Sequence, residues 1–430
     1  MESIWNDMNK PDFGPLEGHI KTDVLVIGGG MCGLLCAYML QEAGVECILA
    51  EAKTICNGIT NGTTAKITLQ HGLIYDKIIK MYGLDKTQLY YESQKTAMDK
   101  LTSLALETEA DVMSCSNVVY SLDDREAIEQ EVRALEQIGC KAYFREETEL
   151  PFEVAGAVEV ENQAKFHPLK FAYKIAEGLP IYENTKIFAL KSNTAITNHG
   201  TISAKKIIVA THFPFINKHG GYFLKMYQHR SYVLALKNAQ TLQNMYVDDA
   251  KEGLSFRTHD DLLLLGGGSH RTGKKGGGWA ELERVSKKYY PSAQEVGRWA
   301  TQDCMTLDAM PYIGQYSGMT PDLYVATGFH KWGMTSSMVS AMILTDMVCG
   351  RKNAYDEVYS PSRSMIHPQL AVNVLESFKH LVVPKVPRCP HMGCALQYNK
   401  AEHSWDCPCH GSRFEENGKL IDNPATSDKK

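Results

Sequence analysis

A strand that runs directly into Gly28-Gly29-Gly30-Met31-Cys32-Gly33 leaves a chain few ways to fold. Residues 23–27 are a continuous apolar run and predict a buried strand. Residues 31–43 predict a helix ended by Gly44, and residues 45–50 predict a second strand closed by Glu51. Strand, turn, helix and strand make a βαβ unit, which implies a parallel sheet. In the GxGxxG pattern Gly28 permits the tight turn and Gly30 lets backbone approach a pyrophosphate. Gly33 lets helix pack on strand, and the helix N-terminus turns its free N–H groups toward the phosphates. Glu51 is placed to hydrogen-bond both ribose hydroxyls. The alternative is a glycine-rich turn without a ligand. The strand before it, the helix after it and the acid at the second strand's end weigh against that.

The rest of the chain leaves this sheet and returns to it. A Gly- and Thr-rich loop spans residues 56–64, and residues 73–109 and 124–138 have helical patterns. Residues 140–202 are short and β-like, and 207–211 read as a strand back in the first sheet. Residues 225–270 are strand-rich, 281–289 helical, and 323–348 read strand, Gly-bearing turn, helix. At 430 residues and 44% apolar content there is ample chain for several cores. The net charge of −5 gives no reason to expect nucleic acid. No uncharged apolar run reaches the ~18–20 residues of a membrane helix, which leaves peripheral membrane contact open. The start, MESIWNDMNKPDFG, has neither basic n-region nor apolar core, so a cytoplasmic protein is expected.

Of twelve cysteines, eight are scattered and four cluster near the end, as Cys389, Cys394, Cys407 and Cys409. The skeleton is Cys389-x-His391, fifteen residues, then Cys407-x-x-His410. Two Cys and two His also suit zinc, but Cys-x-His is too tight for the usual zinc pair. The Gly and Ser flanks fit a Rieske [2Fe-2S] site, with Cys389 and Cys407 on one iron and His391 and His410 on the other. Neutral imidazoles in place of two thiolates raise such a cluster's potential.

Two resemblances extend this reading. Asn61-Gly62-Thr63-Thr64-Ala65-Lys66, Phe166-His167-Pro168, residues 207–211, Asp308-Ala309-Met310-Pro311-Tyr312-Ile313-Gly314 and Ala326-Thr327-Gly328-Phe329 with Gly333-Met334-Thr335 resemble segments of D-amino-acid-oxidase-like flavoproteins of the glycine and sarcosine oxidase type. The resemblance implies FAD, held by Gly28, Gly30, Gly33, Glu51, Thr63, Thr64, Ala65, Lys66, Gly328, Gly333, Met334 and Thr335. It also suggests Arg257, Arg271 and His330 as catalytic candidates near flavin or substrate. His212 stands where that family usually has Gly. The tail resembles the Rieske proteins of quinol-oxidising cytochrome complexes, which implies a Cys394–Cys409 disulfide. It also implies a Ser412 hydrogen bond to the cluster and a covering loop at Asn423-Pro424-Ala425. Phe414 replaces that family's tyrosine.

The expected architecture is an α/β Rossmann-like FAD-binding domain with an inserted α+β substrate domain, plus a small β-rich Rieske domain. The expected division is 21–140 and 271–352 for the FAD part and 141–270 for most of the substrate domain, with a return to the FAD sheet near 205–215. Residues 376–430 are then the cluster domain. Few β-like residues, about 381–386, precede the first cluster loop, so the cluster domain is expected to lean on the flavin body or on a neighbouring subunit. The whole resembles a bacterial FAD-dependent dehydrogenase that oxidises an amino acid, amine or similar small substrate. Electrons would pass singly through the cluster to an external acceptor, a protein or a quinone. A peroxide-forming oxidase with an auxiliary cluster, and an electron-transfer or redox-sensing protein without a small-molecule substrate, are the alternatives.

Overall fold

The computed structural model describes residues 3–216, 219–384 and 386–429. The first apolar run is the end of a strand, Gly18–Ile27, which lies parallel between Cys47–Ala50 and Gly200–Val209. Leu25 sits opposite Ile48 on one side and Ile207 on the other. Both faces of these strands are covered, so their sequences are apolar without alternation. Ile181–Tyr182 extends the sheet beyond Cys47–Ala50, and Leu323–Thr327 extends it beyond Gly200–Val209. Tyr312–Gln315 closes that edge antiparallel. Helices Met31–Glu42 and Gly333–Val348 pack against each other in the main core.

The inserted part is a mixed nine-stranded sheet. Its order is Gln294–Thr306, Met226–Lys237, Leu262–Arg271, Ser255–His259, Met245–Asp248, Met113–Ser121, Gly156–Lys165 and Lys66–Ile67, with Tyr143–Arg145 paired onto Gly156–Lys165. A third, four-stranded antiparallel sheet runs Gln397–Asn399, Ser404–Asp406, Arg413–Glu415 and Leu420–Asp422. The α/β, α+β and small β-rich units expected from sequence are all present.

Two local expectations are corrected. The helical pattern over 73–109 is two helices, Tyr75–Tyr82 and Leu84–Glu107, because Gly83 between them takes φ +82°. Of the β-like residues 381–386, Leu381 and Val382 end helix Pro368–Val382, and Val383, Pro384 and Val386 lie in no strand; among the described residues, pairing ahead of the first cluster loop is limited to the bridge Arg388–Ala395. Apolar composition alone does not separate a short strand from a helix end.

Helix Tyr75–Tyr82 has no capping side chain of its own. Glu131, buried on helix Arg125–Gln137, takes that role and accepts from the N–H groups of Ile74, Tyr75 and Asp76 at 3.0, 2.9 and 2.9 Å. Burial pushes its pKa up to about 7, against the pull of those three donors. The folded state therefore holds a proton that the unfolded chain, with a Glu near 4.3, releases. Stability from this group is present at low pH and is lost as pH rises through about 7. In thermal melts, wild-type stability is expected to fall relative to Glu131→Gln between about pH 5 and pH 7.5, by on the order of 3 kcal/mol. Parallel curves would show that Glu131 does not titrate in that window.

Candidate functional site

A cavity of about 1030 Å³ lies between the first two sheets. Gly28, Gly30 and Glu51 line one end, and Thr63, Thr64 and Lys66 line its flank. His330, Gly333 and Met334 line the far end. Gly33, Ala65, Gly328 and Thr335 stand behind the wall and shape it. A Cβ at Gly33 would lie 1.8 Å from the Gly28 carbonyl oxygen, and one at Gly28 2.7 Å from that of Ala210. At Gly328 it would lie 2.3 Å from Thr306 Cγ2. Ala65 N–H donates to Thr63 Oγ1 at 2.9 Å, and Thr335 Oγ1 donates to the Thr68 carbonyl at 2.7 Å. By contrast a Cβ at Gly30 would meet only Thr60 Oγ1, at 3.4 Å, an ordinary contact, so that glycine is not crowded by backbone. Glu51 accepts from Gly29 N–H at 2.7 Å and Lys53 N–H at 2.8 Å, which aims its carboxylate across the turn. This glycine cradle at a helix N-terminus, with an acid at its edge, fits a bound dinucleotide. Burial pushes Lys66 down to about 7 and His330 to about 3, so the His330 ring is neutral. His330 and Lys331 are consecutive non-glycine residues at φ +51° and +73°, a strained turn at the cavity wall.

Arg257 and Arg271, expected near flavin or substrate, do not line the cavity. Arg257 is fully buried and donates to the carbonyls of Thr64, Ala65 and Phe166. It pins the backbone of the Thr-rich loop from behind. Arg271 donates to the carbonyls of Pro408 and Cys409 at 3.1 and 3.3 Å, and to Asn373 Oδ1 at 3.0 Å. It therefore serves the second cluster loop. Among the described residues no arginine lines the cavity. Among the acids on its walls is Asp303, on strand Gln294–Thr306, which the sequence reading missed. The signal was in the pair Gln302-Asp303, two polar residues on opposite faces of a strand otherwise bound for burial.

The four cluster residues come together on two loops. The Cys389 sulfur takes hydrogen bonds from Cys407, the N–H groups of His391 and Met392, and the Ser412 hydroxyl. Together these pull it down to about 7, while its partner Cys407 is pushed up by holding the shared proton and by burial. Burial holds His391 near 4 and His410 near 3, so both imidazoles are neutral; their rings meet edge to face at 4.9 Å. Two thiols met by backbone N–H groups and two neutral imidazoles are the donor set of a Rieske [2Fe-2S] cluster. Cys394 and Cys409 are joined as a disulfide across the loops, with Cα atoms 6.6 Å apart. The sulfurs of Cys394, Cys407 and Cys409 lie within 4.8 Å of one another, but the disulfide leaves only Cys407 of the three as a free ligand.

These loops dock on the flavin body. Gln228 Nε2 donates to the carbonyls of His410 and Asn423 at 2.8 and 3.2 Å. Gln302 Nε2 donates to the Gly411 carbonyl at 3.0 Å and to Gln228 Oε1 at 2.6 Å. Asn423 Nδ2 donates to the carbonyls of Thr211 and Phe213 at 2.8 and 2.9 Å. Arg230 forms a buried pair with Glu402, which also pairs with Arg413. Residues Ile421, Asp422 and Asn423 of the cluster domain line the cavity.

The FAD dependent oxidoreductase family matches residues 23–347, and the Rieske [2Fe-2S] domain matches residues 362–429. The chain is 31% identical to the Rieske 2Fe-2S iron-sulfur protein YhfW of Bacillus subtilis, over 99% of this chain and 96% of that one. It is 23% identical to gamma-glutamylputrescine oxidoreductase of Escherichia coli, over 80% and 87% of the two chains. The crystal structure of glycine oxidase from Geobacillus kaustophilus shares the fold with a TM-score of 0.66, at 18% identity over 80% of this chain and 99% of that one. No described helix is long and apolar enough to cross a membrane.

Phe414 is fully buried in the small core that also holds Cys389 and Cys407, at the position where the resembled Rieske proteins have a tyrosine. A hydroxyl donating to a cluster sulfur withdraws electron density and favours the reduced form. Phe414→Tyr is therefore expected to raise the cluster's potential and Ser412→Ala to lower it. Protein-film voltammetry on the three proteins checks this, and an unchanged or lowered potential in Phe414→Tyr contradicts the placement.

Proposed function

The chain belongs to the FAD dependent oxidoreductase family and ends in a Rieske [2Fe-2S] domain, and on that premise we propose that it is a dehydrogenase. It oxidises a small amine-bearing substrate and passes the electrons singly through the cluster to an external acceptor. One observation carries the reading. Strands Met226–Lys237 and Gln294–Thr306 pair antiparallel, with His229 opposite Asp303 and Arg230 opposite Gln302. On one face Gln228, Arg230 and Gln302 hold the cluster domain. On the other Tyr227, Ser231 and Asp303 line the cavity, which Gln302 also reaches. The cavity and the cluster loops thus share this pair of strands as a common wall.

FAD, when bound, accepts a hydride, and the cluster takes electrons one at a time. The chain's own contribution begins with Asp303. Its carboxylate makes no hydrogen bond or ion pair among the described residues, and burial raises its pKa to about 6 despite Lys331 and Arg230 nearby. A carboxylate with no hydrogen-bonded or ion-paired partner, on a cavity wall without an arginine among the described residues, suits a substrate ammonium group. Asp303 orients that group and accepts its proton, which leaves the nitrogen lone pair free. Lys331, 3.4 Å from Ser269 Oγ on the same wall, is the neighbouring cation and bounds the site. His330 is neutral there and supplies a polar ring without charge.

An anaerobic screen of amines, amino acids and hydroxy acids, followed by flavin bleaching, tests the reading. Amines or amino acids are expected to bleach the flavin in wild type and in the cluster-free Cys407→Ser variant alike. Turnover with a one-electron acceptor is expected only in wild type. Rapid peroxide release that ignores loss of the cluster would make the protein an oxidase, and no bleaching by any compound would remove the small-molecule reading. Asp303→Asn removes a charge-assisted hydrogen bond worth roughly 1.5–3 kcal/mol, so KM for the amine should rise about 10- to 100-fold. An unchanged KM would place the ammonium elsewhere.

A further inference from the structure

Helix Pro368–Val382 is amphipathic in the reverse sense. A surface helix ordinarily turns its apolar stripe inward and its polar face to water. Here the polar side is docked. Asn373 accepts from Arg271 and donates to the Leu224 carbonyl at 3.2 Å, Glu376 pairs with Lys274, and His380 is buried. The apolar side faces out. Leu375, Phe378 and Val382, at i, i+3 and i+7, are 67%, 66% and 62% exposed, and Val372, Val374 and Leu381 flank them. Ile366, just before the helix, is 90% exposed. Of seventeen large hydrophobic residues exposed among the described residues, eight fall between 366 and 392, so this is one patch and not scattered surface.

The patch is continuous with the first cluster loop. Ala395 N–H donates to the His380 carbonyl at 2.9 Å. Arg388 Nη1 joins the carbonyls of His380, Leu381 and Gly393 at 3.1, 3.0 and 3.0 Å. Met392, next to the ligand His391, is exposed on this side. The charge of the segment is also one-sided. Residues 366–392 contain Lys379, Lys385 and Arg388 against one acid, Glu376, and that acid is turned inward onto Lys274. Among the described residues of 366–392 the exposed apolar half is bordered by Lys379 and carries no free carboxylate, in a chain whose net charge is −5.

We propose that this face is a docking surface for an anionic lipid bilayer, on which helix Pro368–Val382 lies in the membrane plane and carries the His391 loop to the lipid surface. A ridge of exposed aliphatic and aromatic side chains sinks into the headgroup–acyl boundary, and a flanking lysine reaches the phosphates. A second copy or a soluble redox protein is the competing occupant. The one-sided basic border, Lys379 beside the exposed apolar ridge, favours anionic lipid.

The test uses the full-length holoprotein and sedimentation with vesicles of phosphatidylglycerol mixed with phosphatidylcholine, or of phosphatidylcholine alone. Wild type should sediment with the anionic vesicles and less with the neutral ones. The double variant Leu375→Ser/Phe378→Ser should lose about tenfold or more in binding while keeping the visible spectra of both cofactors. Lys379→Glu, which leaves the apolar face intact, is the second variant and should weaken binding to the anionic vesicles alone. Absence of binding to either vesicle overturns the proposal, as does binding indifferent to all three substitutions. A dimer in light scattering that the double variant dissociates overturns it as well, by giving the face to a second copy.

Discussion

The antiparallel pairing of Met226–Lys237 with Gln294–Thr306 is the constraint on which the molecule's working parts depend. Side chains alternate along a strand, so a single register assigns each residue to one of two faces. In the observed register Gln228, Arg230 and Gln302 face the cluster loops, and Tyr227, Ser231 and Asp303 face the cavity. A slip of one residue would send the glutamines into the cavity and Asp303 under the cluster. The apolar run Tyr232–Leu236 of the first strand, and the Trp299 indole of the second donating to the Gly62 carbonyl at 2.9 Å, fix that register from the flavin side.

The cluster domain needs the body that this wall provides. It has four strands of three residues each and a core built largely from the cluster cysteines, Leu396, Phe414 and Ala425. A unit of this size buries too little apolar surface to be stable unaided. Its polar groups show how the remainder is met. Arg413 is enclosed by Asp406, Glu402 and Asp422, and Glu402 reaches across to Arg230. Buried pairs of this kind add little net stability, but removing one partner strands a charge. Their effect is therefore to fix one docking pose, as does Gly411, where a Cβ would lie 2.5 Å from the Gln228 side chain.

What could be read from sequence, and what could not, follows the range of the interactions involved. The GxGxxG turn, Glu51 and the Cys/His skeleton are local: neighbours in sequence set their geometry, and they lie together at the cavity and on two facing loops. The roles of Arg257 and Arg271 are not local. Each is defined by backbone carbonyls more than ninety positions away, at Thr64, Ala65 and Phe166 for one and at Pro408 and Cys409 for the other. An arginine fork suits a carboxylate and a cluster of carbonyls equally, so residue type cannot choose between them. Asp303 was hidden for the opposite reason, since its significance lies in the partner it lacks. Helix Pro368–Val382 was hidden because an outward apolar face and an inward one give the same periodicity.

The two histidines of the cluster face different surroundings, which gives the site a direction. His410 is buried against Phe223, and its own carbonyl is held by Gln228, one residue along the strand from the cavity wall. His391 is on the other loop, beside exposed Met392 and the turn that joins helix Pro368–Val382. His410 is thus the enclosed ligand of the pair and His391 the partly exposed one. The Cys394–Cys409 bond ties the two loops together, so neither side can move without the other. Arg271 extends the link, because one guanidinium holds both the second cluster loop and Asn373 of the helix. Cavity wall, cluster loops and helix Pro368–Val382 are thus one hydrogen-bonded unit, so the alignment of the cluster with the cavity is set by the fold itself.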